Sequence, residues 1–297
     1  MHNKTKGYLL VGIAGTLWGT VAFFVTKLVD AQLPLSTIVF YRMFFAFLSL
    51  FFFLLFTDIS KLKIDRVLLK YVAAIGLISQ ALFNISYFSA IKLTSISTAV
   101  TLLYTAPVFI ALMARIFFQE TFTKNKVLAL LLCVTGCFLT ITGGSLQSFQ
   151  LNFKGILFGL AAGITFASLT IISKPIAEKY HPYTIVFYSI GFGTLFYLPF
   201  SGPILLFQSQ ISLLTWFYAL SLSIISTVIA LIIYFSGLAT GIEASKAGII
   251  STIEVVVSVL ISFLFFQEKI WGWKLVGILM VMGSVVVVQL DRVKGTI

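Results

Sequence analysis

Thr37–Tyr41 reads TIVFY, and Thr184–Tyr188 reads TIVFY again, 147 residues later. Two further words recur in the same order: YFS at Tyr87–Ser89 and Tyr234–Ser236, also 147 apart, and FFQE at Phe117–Glu120 and Phe265–Glu268, 148 apart. Three words at nearly one offset are hard to obtain by chance, even in a chain with 31 Phe. The sequence therefore reads as two related halves, 1–148 and 149–297.

Working outward from these words, each lies in or beside an apolar block of about 18 to 25 residues. That is the length needed to cross a hydrocarbon core roughly 30 Å thick at 1.5 Å per helical residue. Composition agrees: 60% of the 297 residues are hydrophobic and 10% charged, against roughly 25% charged in soluble domains. The expected fold is an all-α membrane protein with ten transmembrane helices. Its spans are Gly7–Val29, Leu35–Phe56, Leu69–Ala90, Ile96–Phe118, Val127–Thr142, Gly155–Ile176, Thr184–Phe207, Leu213–Leu238, Ala244–Phe266 and Trp273–Val288. Five spans per half is an odd number, so the second copy enters the membrane in the opposite sense. The result is two inverted five-helix repeats forming one transport domain, an arrangement typical of secondary transporters.

Positive residues set the orientation, because Lys and Arg accumulate in cytoplasmic loops. Thirteen of the 20 Lys and Arg fall on the side of the N-terminus, among them Lys61, Lys126, Lys174 and Lys246, and five on the other, with Arg42 and Arg115 inside spans. Both termini are expected in the cytoplasm. Lys4 and Lys6 precede the first block as in a secretory signal, but the block is too long and lacks a small-x-small cleavage site, so it reads as a retained helix. The net charge of +11 is spread over short connections, which argues against a nucleic-acid partner. Cys133 and Cys137 share one helix face and read as small packing residues, since no CxxC pair or cluster with His accompanies them.

The chain resembles the EamA-type branch of the drug/metabolite transporter superfamily. The residues carrying the likeness are Pro107 with Glu120 thirteen positions on, Glu254 followed by Glu268, and Arg42 early in the second span. Val255 departs from the pattern, which often has proline after that glutamate. The resemblance implies ten helices, a central cavity lined mainly by helices 1, 3, 4, 6, 8 and 9, alternating access, and export of metabolites such as amino acids. It does not identify a substrate, because one fold serves many.

Candidate binding residues follow from depth and facing. Gln80, Asn84 and Tyr87 stand at i, i+4 and i+7 of the third span, forming one polar face that either bonds to neighbouring helices or lines a wet cavity. Trp18 and Phe166 occupy matching depths in the first helix of each half, and Tyr104 lies about 12 Å into the fourth. Aromatics this deep are not interface anchors; they pack or present a face to a ligand, and Trp and Tyr also need partners for their polar tips. Tyr234 is the repeat partner of Tyr87. Arg42 and Glu254 are ionisable groups at depth, which are costly unless paired or hydrated. Each is either structural or part of a substrate or coupling-ion path, and Glu254 is the expected protonation switch. Arg115, Glu120 and Glu268 lie at helix ends and are expected to snorkel to water. Gly155, Gly159, Gly163 and Ala167, with Gly15 and Gly19, form small-residue ridges that permit close helix contact.

The expected function is secondary active transport of a small amphipathic metabolite, an amino acid or similar, in the export direction across the cytoplasmic (cell inner) membrane. No G-x-x-x-x-G-K-[ST] string occurs, so no ATP-binding loop is expected and a proton or counter-substrate gradient supplies the energy. No cofactor or metal is expected. A homodimer is compatible with the sequence. The rivals are uptake of a cation such as a quaternary amine, drawn by Glu254 and aromatic walls, a channel, and an intramembrane enzyme. The last is disfavoured because His2 and His181, the only histidines, lie outside the spans and no nucleophile–base pair is visible.

Overall fold

A computed structural model describes residues 2–147, 152–201, 211–267 and 269–290. Among them the chain is helical with no strand. Nine helices among the described residues are long and apolar enough to cross a membrane: α1 (Lys4–Asp30), α2 (Leu35–Thr57), α3 (Arg66–Leu93), α4 (Ile96–Phe118), α5 (Lys124–Thr142), α6 (Phe153–Ala177), α7 (Pro182–Phe200), α8 (Leu213–Leu238) and α9 (Ala244–Phe266). A shorter apolar helix of 17 residues, α10 (Trp273–Gln289), follows. The protein is a multi-pass, all-α membrane protein. The expected seventh span runs to Phe207, but α7 ends at Phe200 and positions 202–207 lie outside the described residues. Glu268, Arg292 and Lys294 lie outside them as well.

Polar residues at the block edges start the helices. Asp65 accepts from the Leu68 amide at 2.7 Å, Ser95 from Thr98 at 3.1 Å, Thr123 from Lys126 at 3.1 Å, Asn152 from Gly155 at 3.2 Å and Ser212 from Thr215 at 3.2 Å. Each satisfies an amide that the helix leaves open.

Several spans are irregular inside, and the irregularities recur. Helix α3 contains a π-helical stretch at Ile75–Leu82 and α8 another at Ile224–Ile229. Helix α4 breaks at Tyr104–Thr105 and α9 at Thr252. Both α4 and α9 end on a left-handed glutamine, Gln119 (φ 56°) and Gln267 (φ 57°), each inside the repeated FFQE word. Helix α1 also breaks, at Thr20, whereas α6 runs uninterrupted through Ala167, 147 residues on.

Glycines set the closest crossings. A Cβ on Gly15 would lie 2.7 Å from the Ser251 carbonyl oxygen, and one on Gly19 would lie 2.9 Å from that of Glu254. Helix α1 thus rests directly on the broken backbone of α9. Helix α6 does the same to α4: a Cβ on Gly163 would be 3.1 Å from Thr105 Oγ1 and 3.2 Å from the Leu102 carbonyl oxygen.

Candidate functional site

The breaks in α4 and α9 position two polar side chains at mid-span. At Thr252 the hydroxyl turns back to the Ile249 carbonyl at 2.6 Å, and the amide bonds to the same oxygen at 3.2 Å. The helix restarts at Ile253, which places Glu254 in the first turn of the new segment. A carboxylate there lies at the positive dipole end of a helix segment, inside the span and not at its surface. The Tyr104 hydroxyl, at the break in α4, lies within the electrostatic reach of the Glu254 carboxyl. Both line a small cavity with Pro107, Phe166, Ser251 and Thr252.

Aromatic rings extend this cavity into a chain. Trp18 of α1 meets Phe166 of α6 edge-on at 6.5 Å between centroids and Tyr234 of α8 at 5.0 Å. The Tyr234 hydroxyl shares a hydrogen bond of 2.6 Å with Thr170, so its polar tip is satisfied where burial leaves no water. Phe83 packs on Phe166 at 5.5 Å and stacks on Tyr87 at 5.9 Å with only 13° between the rings. Tyr87 in turn lies within the electrostatic reach of Glu254. Trp18, Phe166, Tyr234, Tyr87, Tyr104 and Glu254 thus belong to one contiguous set drawn from six helices.

Three expected site residues stand apart from it. Asn84 is buried and donates from Nδ2 to the Gln80 carbonyl at 2.6 Å in its own helix. The Gln80 side chain packs where a Cβ on Gly193 of α7 would lie, 2.8 Å from the Gln80 Cβ. Beside them Ser79 and Ser168 join α3 to α6 at 2.7 Å. Arg42 feels the fields of Glu254 and Tyr197 but lines a different cavity, with Tyr41, Thr215, Trp216 and Leu222, and the two cavities share no lining residue.

At the end of the bundle that carries the N-terminus, a cluster of charges joins α4, α5, α6 and α9. Glu120, directly after α4, accepts from the Ala244 amide at 2.6 Å, the Ser245 amide at 3.2 Å and the Ser245 hydroxyl, and pairs with Lys174 at 2.9 Å and Lys126 at 3.8 Å. Lys126 also pairs with Glu243 at 2.6 Å, and Glu243 with Lys246 at 3.7 Å. Snorkelling was the expectation for Glu120. Its side chain is only 7% exposed and turned inward, because the open amides at the start of α9 and two lysines offer better partners than water at a helix end. Burial pushes its carboxyl up, but Lys174, Ser245 and the Ala244 amide outweigh that and hold it below the ordinary carboxylate range. Arg115 does lie exposed, reaching the Glu120 carbonyl at 3.4 Å.

Cys133 and Cys137 are free and buried, and Cys133 donates to the Thr252 hydroxyl at 3.5 Å, beneath the α9 break. Sequence reasoning missed Phe83, Thr170 and Thr252. A threonine at the matching position, Thr105, was the available signal for the last. No group of three or more His, Cys, Asp or Glu that could hold a metal occurs among the described residues.

A bundle of apolar helices broken in mid-span around a carboxylate and an aromatic-walled cavity defines a membrane protein with an internal polar site. The EamA-like transporter family model matches residues 5–142 and 153–290, and the chain belongs to that family. It is 29% identical to an uncharacterized transporter of Archaeoglobus fulgidus, over 95% of each chain. It is 26% identical to the uncharacterized inner membrane transporter YicL of Salmonella typhimurium, over 98% of this chain and 97% of the other. The pseudopaline exporter CntI of Pseudomonas aeruginosa is 25% identical over 65% of this chain and 66% of its own. A solved crystal structure shares the fold with a TM-score of 0.80, covering 96% of this chain and 97% of its own at 18% identity.

Proposed function

We propose that the chain is a secondary active transporter that moves a small amphipathic metabolite, an amino acid or similar compound, out across the cytoplasmic membrane by alternating access. The observation that carries this reading is the meeting of Glu254 and Tyr104 at two helix breaks, walled by Phe166 and joined through it to Trp18 and Phe83. A titratable carboxyl in such a cavity binds a proton when the cavity is open to one side and releases it when open to the other. That couples substrate movement to the proton gradient. The aromatic rings receive the apolar part of the cargo, and the hydroxyls of Tyr104 and Ser251 its polar part.

Ten spans arranged as two inverted five-helix repeats support the cycle. Matching π-helical stretches, matching breaks and matching left-handed glutamines favour this division. So do two separate family matches, one in each half. The lysine bias favours cytoplasmic termini, which puts the Glu120 cluster at the inner face as the closure between halves. Export is favoured by the likeness to CntI, an exporter. No enzyme activity is part of this reading, since no histidine lines the cavity.

Counterflow in proteoliposomes tests the coupling. Replacing Glu254 with Gln keeps the shape and removes the titration, so exchange of a loaded substrate should persist while accumulation driven by a pH gradient is lost. Unchanged gradient dependence in Glu254→Gln would sink the coupling role. The same carboxylate and ring set also suits a quaternary amine entering the cell. Counterflow with choline set against neutral amino acids separates the two readings, since only one class should exchange.

A further inference from the structure

Arg42 sits about 10 Å along α2 from its start, by helical rise. None of the ion pairs among the described residues includes it. Its Nε is buried without a hydrogen-bond partner. The cavity in front of it is walled by Leu28, Tyr41, Trp216 and Leu222, with Thr215 contributing a hydroxyl that is already shared with Ser212 at 2.9 Å. A guanidinium held at membrane depth with an unfilled donor is costly unless an anion reaches it. Its planar fork matches carboxylate and phosphate oxygens. The other walls are apolar or aromatic and offer nothing to a freely hydrated ion, but they suit hydrocarbon or a ring.

We propose that this pocket is a second ligand site, separate from the Glu254 cavity, which binds an oxyanion carried on an apolar body, with Arg42 as its anchor and Trp216, Tyr41 and Leu222 as its walls. The site does not depend on the transport reading. Two sources share this chemistry: a free amphiphilic carboxylate and the headgroup of an anionic lipid.

The test is thermal unfolding of the purified protein in neutral detergent. It is titrated with indole-3-propionate, the methyl ester of that acid, short-chain phosphatidylglycerol and short-chain phosphatidylcholine. At least one of the two anions should raise the unfolding midpoint where its uncharged or zwitterionic counterpart does not, since a ligand that binds the folded state stabilises it. A response to indole-3-propionate alone assigns the free acid, and a response to phosphatidylglycerol alone assigns lipid. Affinity should fall at least about tenfold in Arg42→Gln, the size expected for losing a hydrogen bond to a charged group, and should hold in Glu254→Gln. If Arg42→Gln does not fold, Trp216→Ala must weaken the same anion while sparing Glu254-dependent exchange. The proposal is overturned if neither anion outbinds its counterpart, if the preference survives Arg42→Gln, or if it disappears in Glu254→Gln, which would move the ligand to the central cavity.

Discussion

Helices α4 and α9 break in the same way with different residues, and the difference separates what causes a break from what fixes it. In α4 the Thr105 amide and hydroxyl bond to the Leu102 carbonyl at 3.2 and 2.6 Å, and Pro107 follows two positions on. In α9 the Thr252 amide and hydroxyl bond to the Ile249 carbonyl at the same two distances, but two positions on, where Pro107 would match, stands Glu254. The residues after these behave alike: Val255 donates its amide to the Thr252 carbonyl at 3.0 Å, as Val108 does to the Thr105 carbonyl at 2.9 Å. Proline is therefore not needed for the break. The shared elements are the threonine, whose hydroxyl competes for a helix carbonyl, and a glycine of α1 or α6 laid against the opened turn. The two helices also begin differently: α4 is capped by its own Ser95, whereas α9 is capped by Glu120 from the end of α4.

That last contrast gives the largest expected effect. Replacing Glu120 with Gln leaves Lys174 and Lys126 without their shared carboxylate, and breaking a buried pair this way costs about 3–5 kcal/mol. Ser95→Ala at the start of α4 removes only a local cap, worth about 1 kcal/mol. Thermal unfolding in detergent should rank the two accordingly, and equal losses would refute the cap that α4 lends to α9. The pH dependence has a definite sign. The Glu120 carboxyl is held below its ordinary value, so its stabilisation is present above about pH 4.3, the unfolded value. It is lost as pH falls through the lower folded value. Wild type should therefore lose stability steeply on acidification below about pH 4, and Glu120→Gln less so.

Next in size are the glycines. A Cβ at Gly15 or Gly19 meets backbone of α9 at 2.7 and 2.9 Å, whereas at Gly163 it meets α4 at 3.1 Å or more. Overpacking typically costs about 1–3 kcal/mol. Gly19→Ala should thus lower the unfolding midpoint more than Gly163→Ala, and the reverse order would mean that α1 can shift where α6 cannot.

The multi-pass helical class was legible because apolar length is a property of the chain itself. The TIVFY, YFS and FFQE words fall at equivalent places in related helices, and the FFQE word even marks the left-handed glutamines. Trp18 and Phe166, matched only by depth, do meet, and Tyr104 and Glu254 do share a cavity. What stayed hidden depends on which way a side chain turns. Lys126, Lys174 and Lys246 register in sequence as loop-side positive charges, yet they turn inward to Glu120 and Glu243. Gln80, Asn84 and Tyr87 look like one face under a 3.6-residue period. The π-helical stretch at Ile75–Leu82 changes that period: Gln80 packs against Gly193 of α7 and Asn84 is buried with its amide turned back to the Gln80 carbonyl, while Tyr87 joins the ring chain.

The smallest expected effect, and the sharpest test of the comparison, comes from the two threonines. Thr105→Val and Thr252→Val each remove a hydroxyl bonded to a carbonyl that the local amide also uses, so each should cost only about 1 kcal/mol of stability. Their structural consequences should differ. In α4, Pro107 has no amide to give and its ring excludes a regular turn before it, so the break should survive without the Thr105 hydroxyl. In α9 every residue from Ile253 to Val256 retains an amide, and the isoleucine and valine side chains are compatible with an unbroken helix. Removing the Thr252 hydroxyl should let the backbone close to regular bonding, rotating Glu254 away from the Tyr104 hydroxyl. Amide hydrogen exchange reads this directly: protection at residues 252–256 should rise in Thr252→Val, while protection at residues 105–109 stays unchanged in Thr105→Val. Adding Val255→Pro to Thr252→Val should restore the break and its faster exchange. If α9 stays broken in the single Thr252→Val variant, the opposing glycines of α1 hold it open, and the threonine is a passenger.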